Sequence, residues 1–349
     1  MASLLSFCLV QLSSLLLVRL SRPRDRAEAF LLFFLFMTAT IIGGGYVLSF
    51  LNHIGDISYW CGMQFCLLVL IGLVVGLKPR FRHLATHRVA FSPLRSLWAW
   101  LSSLSIFERA TLTPLTLTTI AVGVFNFLAV VFTAPGTWDG LAYHLPRMAY
   151  YLQHNNLDFF EANYWAHVVH PKNSTILLMY TYLVSGRNEN LTQLVQFTSY
   201  WIAVASTYGI ARKLGMTTAQ ALFSSLVLSL LTECVMQAVS MHNDMVVAAF
   251  LGITIYCIFA HHETQSLKYL WYSAIAFALG LGVKASFFLI APIVLLIFVL
   301  LVVFNRKVTI SDKVRTMSRY IVMTLVACVL FTLPSGYITN YQKFGHILG

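Results

Sequence analysis

An all-α polytopic membrane protein is the fold class the sequence predicts, on three observations. Hydrophobic residues make up 58% of the 349 and charged residues only 10%, a balance soluble domains do not show. About ten apolar stretches approach or exceed the ~20 residues that cross a hydrocarbon core. The basic residues gather in the short loops between those stretches, where they act as topology signals.

In chain order the expected spans are 2–18, 28–51, 60–77, 113–132, 190–211, 218–237, 244–260, 268–283, 285–304 and 319–337. The first lacks a preceding basic region and a small-residue cleavage site, so it reads as a span and not as a removable leader. Gly43, Gly44 and Gly45 in the second suit close helix packing. Arg19, Arg22, Arg24 and Arg26 follow span one, and Lys78, Arg80, Arg82, Arg88, Arg95 and Arg109 follow span three, so both loops are expected to be cytoplasmic. Arg212, Lys213, Lys268, Arg306, Lys307, Lys313, Arg315 and Arg319 fall on the same side if the stretch 174–185 does not cross; at about 12 residues it is short for a span and suits a surface or re-entrant helix. The stretch 91–107, with Trp98 and Trp100, is expected along the inner face.

The net charge of +11 therefore reports topology and not nucleic-acid binding. All six cysteines fall in apolar segments without a CxxC pair, as small core residues do.

The longest polar interruption runs over residues 133–172, within an expected outer loop 133–189. Connectors are usually far shorter, so its length argues for function. Trp138, Tyr143, Tyr150, Tyr151, Tyr164 and Trp165 favour the membrane boundary. Within WDGLAYHLPRM, Asp139, Tyr143 and Arg147 are spaced to share one helix face, with His144 about 100° from Tyr143 and Pro146 starting or kinking the helix. One reading makes Asp139 a general base, with Arg147 or His144 holding an anionic group; the other makes Asp139 a helix cap.

Two further places invite chemistry. His242, Asn243 and Asp244 precede a long apolar run; they form either an N-cap or an oxygen and nitrogen set for a divalent ion, hydroxyls or a phosphate. Lys284 stands alone between two apolar spans, where it either meets an anionic partner such as a lipid phosphate or is a wet turn residue.

The order of these features, an outer loop with WDGLAYHLPR, His170-Pro171 before a short helix, an ARKLG inner turn, HND at a span start and a lysine between later spans, resembles bacterial GT-C-fold glycosyltransferases that use polyprenyl-phosphate sugars. These are related to protein O-mannosyltransferases and aminoarabinose transferases. The likeness covers residues 113–345, leaving 1–112 as a three-helix extension with a basic loop and 113–349 as a GT-C-like core. Many such enzymes continue with more spans or a soluble domain, so the likeness implies a shortened or minimal form. One departure is that Gly140 follows Asp139, where mannosyltransferases carry two adjacent acids.

The resemblance implies an inverting glycosyltransferase of a bacterial plasma membrane. It moves a sugar from a polyprenyl-phosphate donor to a glycan, lipid or protein acceptor at the exoplasmic face. Asp139 and Asp244 are the implied catalytic acids, while Tyr143, His144, Arg147, His242, Asn243 and Lys284 are the binding groups expected from their own positions. A divalent ion near Asp244 and His242 is left open. The alternatives are a lipid-linked-sugar flippase or transporter, against which the lack of charge inside the spans argues, and a non-catalytic membrane subunit.

Overall fold

The computed structural model describes residues 1–77 and 102–349. Lys78, Arg80, Arg82, Arg88, Arg95, Trp98 and Trp100 lie outside them.

The described residues are built of helices. In order these are α1 (Ala2–Ser21), α2 (Arg26–Phe50), α3 (Ile57–Leu77), α4 (Ile106–Phe132), α5 (Leu145–His154), α6 (Ala166–Val169), α7 (Asn173–Val184) and α8 (Leu194–Lys213). Then come α9 (Thr218–Ser229), α10 (Thr232–Gln237), α11 (Asp244–Thr264), α12 (Leu267–Leu281), α13 (Phe287–Val303), α14 (Ile310–Phe331) and α15 (Tyr337–Phe344). Their starts are written locally: Asp25 caps α2, and Ser105–Glu108 and Thr217–Gln220 form capping boxes on α4 and α9.

Among the described residues six helices, α1 to α4, α11 and α14, are long and apolar enough to cross a membrane. With Leu, Ile, Val and Phe exposed along α1, α3, α4, α13 and α14, the chain is a polytopic α-helical membrane protein. The ten expected spans all fall on helix, but four of them do not form helices both long and apolar enough to cross. Stretch 218–237 is divided between α9 and α10 at Leu230 and Leu231, and α12 and α13 have 15 and 17 residues, some way below the ~20 a perpendicular crossing takes. Helix α8 has 20 residues but carries Gln196, Ser199, Ser206 and Thr207 along its length.

Helix α11 is the centre of the bundle. It packs on α8 and α12, and its buried faces continue through α2 and α7 into one core. Gly44 and Gly45 allow that density, because a Cβ there would meet Met63 of α3 at 2.1 Å and Ile176 of α7 at 2.4 Å.

Both ends of α7 are fastened at the same end of the bundle. Its first residue, Asn173, donates its backbone N–H to the Gly282 carbonyl at 3.0 Å and its side-chain amide to the carbonyls of Leu279 and Phe331, both at 3.1 Å. Near its last residue, the Leu183 carbonyl accepts from Ser3 at the start of α1. Twelve residues rise only ~18 Å, so α7 lies across the bundle without traversing it. The opposite end is closed by ion pairs: Arg24 to Glu28 and Glu263 at 3.1 and 3.0 Å, and Lys213 to Glu263 at 2.8 Å. Tyr269 donates to the fully buried Glu28 at 2.8 Å.

Candidate functional site

The site begins with a missing donor. Proline has no N–H, so Pro146 cannot close the helical bond to Ala142. The turn opens into a π-type turn over Gly140–His144, closed by Leu145 N–H donating to the Gly140 carbonyl. The freed Ala142 carbonyl is instead 2.8 Å from Nε2 of His167. Gly140 is needed for a close approach, since a Cβ there would stand 3.0 Å from Cβ of Met241. That contact seats the Asp139 turn against the loop that starts α11.

Asp139 opens this turn half-buried, and its carboxylate makes no capping bond. Tyr143 is buried, with Arg147 5.9 Å over its ring, so these two do share a face. Burial pushes the Tyr143 phenol up to about 12, which keeps it a neutral donor.

His144 is corrected by the structure. Its ring stacks 4.1 Å from that of Tyr143, tilted by 33°, where an α-helix would point it away. The side chain is fully buried and neither ring nitrogen has a partner. Burial first, then the charges of Arg147, His242, His170 and Lys284, hold it well below the usual imidazole range. A neutral, enclosed ring does not hold an anion at the surface.

Arg147 is also placed differently from the expectation. Its guanidinium is 1% exposed and donates to the carbonyls of His170 and Pro171 at 2.9 and 3.2 Å and to the Thr175 hydroxyl. It clamps the outer loop to α7, and an anionic group has no open approach to it.

The second acid stands at the start of α11. Lys284 Nζ lies 2.6 Å from Asp244 Oδ1, and His242 Nδ1 lies 3.9 Å from Asp244 Oδ2. Asp244 and Lys284 are 41% and 38% exposed, so the pair adds little stability. What it does is hold a cation and a carboxylate at the mouth of the bundle. Asn243, expected to bind substrate, is 5% exposed and donates to the Val283 carbonyl at 3.1 Å, tying the two loops together. No group of three His, Cys, Asp or Glu side chains among the described residues stands close enough to hold a metal ion. Asp244 and His242 would supply only two ligands, one of them already paired with Lys284.

Three supporting residues escaped the sequence reading. Gln196 accepts the amides of Met245 and Val246 at 3.0 and 3.2 Å and so caps α11; a glutamine inside an apolar stretch is the signal. His167, which takes the Ala142 carbonyl, has no signal apart from Pro146. Lys172 is buried, donates to the Leu157 carbonyl at 2.6 Å, and is pushed down to about 8 by burial and by Arg147.

A family model described as dolichyl-phosphate-mannose-protein mannosyltransferase matches residues 170–332. The chain is similar to that family there. The match spans just under half of the chain and takes in α7 to α14 with Asn243, Asp244 and Lys284, while Asp139 lies before it. No curated protein and no solved structure matches.

Proposed function

We propose that the protein is an inverting membrane glycosyltransferase that moves a sugar from a polyprenyl-phosphate donor to an acceptor at the exoplasmic face. The similarity to mannosyltransferases that use a lipid-linked sugar supports the reaction class, and the apolar helices support its membrane setting. The observation that carries the assignment is the uncapped Asp139 carboxylate on a turn seated against Met241, three residues before the Asp244–Lys284 pair.

In this reading the acceptor oxygen attacks the anomeric carbon while Asp139 takes the hydroxyl proton, and the bond from that carbon to the phosphate oxygen breaks with its electrons left on the phosphate. Lys284 meets the charge that develops there. Asp244 keeps Lys284 in place until the donor phosphate takes over, with His242 beside it. Tyr143 is the neutral donor next to Asp139, and Arg147 and Asn243 position the two loops. His144 and His170, held neutral by burial, contribute no positive charge to the phosphate, which leaves that role to Lys284.

The test is purified protein in lipid vesicles with a polyprenyl-phosphate sugar and candidate acceptors, scored for sugar transfer with inverted anomeric configuration. Donor that crosses the bilayer without transfer would replace this reading with a flippase.

A further inference from the structure

A cavity of about 610 Å³ lies between α1, α2, α7 and α8, away from Asp139 and Lys284. Its walls are apolar, with Phe7, Phe34, Met37, Leu177, Trp201 and Ile202 among them. Apart from Gln11, whose amide reaches the Met37 sulfur at 3.7 Å, the polar side chains on those walls are already occupied. Thr38, Thr181, Thr198 and Ser199 bond back to carbonyls of their own helices, and Tyr180 pairs with Ser6. The chamber thus offers mainly hydrocarbon contact and little to hydrogen-bond, which suits a methylene chain and not a sugar or peptide. Along α2 it runs from Phe30 to Ile41, a rise of ~16 Å, about half of a ~30 Å hydrocarbon core. Phe7 and Phe30 at its walls are 45% and 46% exposed, so it opens sideways where the bilayer lies.

Ser185 in the chamber wall is followed in the chain by Gly186 and Arg187, and Arg187 lines two further cavities of about 500 and 560 Å³ that also share Leu152 and Leu183. These are polar. Arg187 is exposed and has no ion-pair partner among the described residues, and Glu189 lines one cavity and Asp56 the other. One cation flanked by carboxylates does not match a purely anionic head. It complements a head that carries a phosphate and an ammonium together.

We propose that this chamber and rim form a lipid site separate from the transfer site, filled by an ethanolamine glycerophospholipid. One acyl chain lies along α2 and α8, the phosphate meets Arg187, and the ammonium meets Glu189 or Asp56. The proposal stands without the glycosyltransferase reading.

Trp201 in the wall is the reporter. The protein is reconstituted into phosphatidylcholine vesicles containing brominated-chain phosphatidylethanolamine, phosphatidylglycerol or phosphatidylcholine, and the Trp201 signal is the quenching lost in Trp201→Phe. Brominated phosphatidylethanolamine is expected to quench Trp201 most. Arg187 has a φ of 68°, so Asn, which tolerates that conformation, is the suitable replacement. Arg187→Asn should weaken the ethanolamine lipid about tenfold, the loss of one charge-assisted hydrogen bond. Glu189→Gln should remove the preference over phosphatidylglycerol, and unchanged thermal unfolding shows that both variants fold. Equal quenching by all three lipids would mean bulk bilayer contact and overturn the site. Displacement of the brominated lipid by a polyprenyl phosphate alone would overturn the assignment of its occupant.

Discussion

Asn243 and Val283 hold the candidate site together, the side-chain amide of the first donating to the carbonyl of the second at 3.1 Å. Each is followed by a charged residue, and the tie brings Asp244 and Lys284 to 2.6 Å. Two loops forty residues apart thereby present one carboxylate and one cation at a single mouth. Asn243→Ala leaves the buried Val283 carbonyl unsatisfied, which costs ~1–3 kcal/mol. Thermal unfolding should show that loss together with weakened donor binding.

Lys284→Ala should weaken binding of a polyprenyl-phosphate sugar, with Lys284→Arg recovering part of it, since the charge remains while the geometry changes. Titration of the labelled donor into reconstituted protein measures both. Unchanged affinity in Lys284→Ala would leave the residue as a partner for Asp244 only.

Pro146 sets the shape of the Asp139 turn by withholding an N–H from Ala142. Pro146→Ala restores that donor, which competes with His167 for the carbonyl and favours an ordinary α-turn. The Asp139 carboxylate then swings relative to Met241. Transfer should fall at least ~10-fold, as misplacement by about 1 Å does, while thermal stability holds or rises. Loss of both together would mean that the turn is needed only for folding.

His170 gives the pH dependence a sign. It lies half-buried beside Tyr143 and Trp165, and burial, then the charges of Arg147 and Lys284, push it down to about 4 from an ordinary 6.5. Between those values the unfolded chain binds the proton and the folded chain does not, so stability falls as pH drops from about 6.5 towards 4. His170→Gln should flatten that part of the curve of unfolding temperature against pH. An unchanged slope would assign it to other groups, His144 first.

Much of this site is legible in the sequence as separate oddities. Asp139 after a span, Asp244 at a span start and Lys284 at a hairpin each stand where a charge needs a reason. Their pairing is not legible, because it depends on how α11 and α12 pack and on the bond from Asn243 to Val283. Helix periodicity places Tyr143 and Arg147 on one face, as observed, but it misplaces His144, since a π-turn resets the angle between neighbours. Arg147 shows a further gap. An arginine beside an outer loop reads as an anion ligand until the carbonyls of His170 and Pro171 are seen around it. The span count shows the same limit: apolar composition marks 218–237 as one crossing, while the break at Leu230 and Leu231 is set by packing.

Asp139 bears most of the proposed chemistry. An acceptor hydroxyl is a weak nucleophile at neutral pH, and a positioned carboxylate that removes its proton contributes about 10² to 10⁴ in rate. Asparagine keeps the size of aspartate and caps helices about as well, but it cannot take that proton. In the structure the Asp139 side chain makes no capping bond, so Asp139→Asn should fold, insert and bind donor much as the parent does while transfer falls by at least ~100-fold. The measurement is single-turnover transfer from labelled donor in vesicles, with donor binding followed on the same samples. If Asp139→Asn transfers sugar at close to the parental rate, the proton goes elsewhere, and Asp244, freed from Lys284 once the donor phosphate is bound, is the next carboxylate to replace.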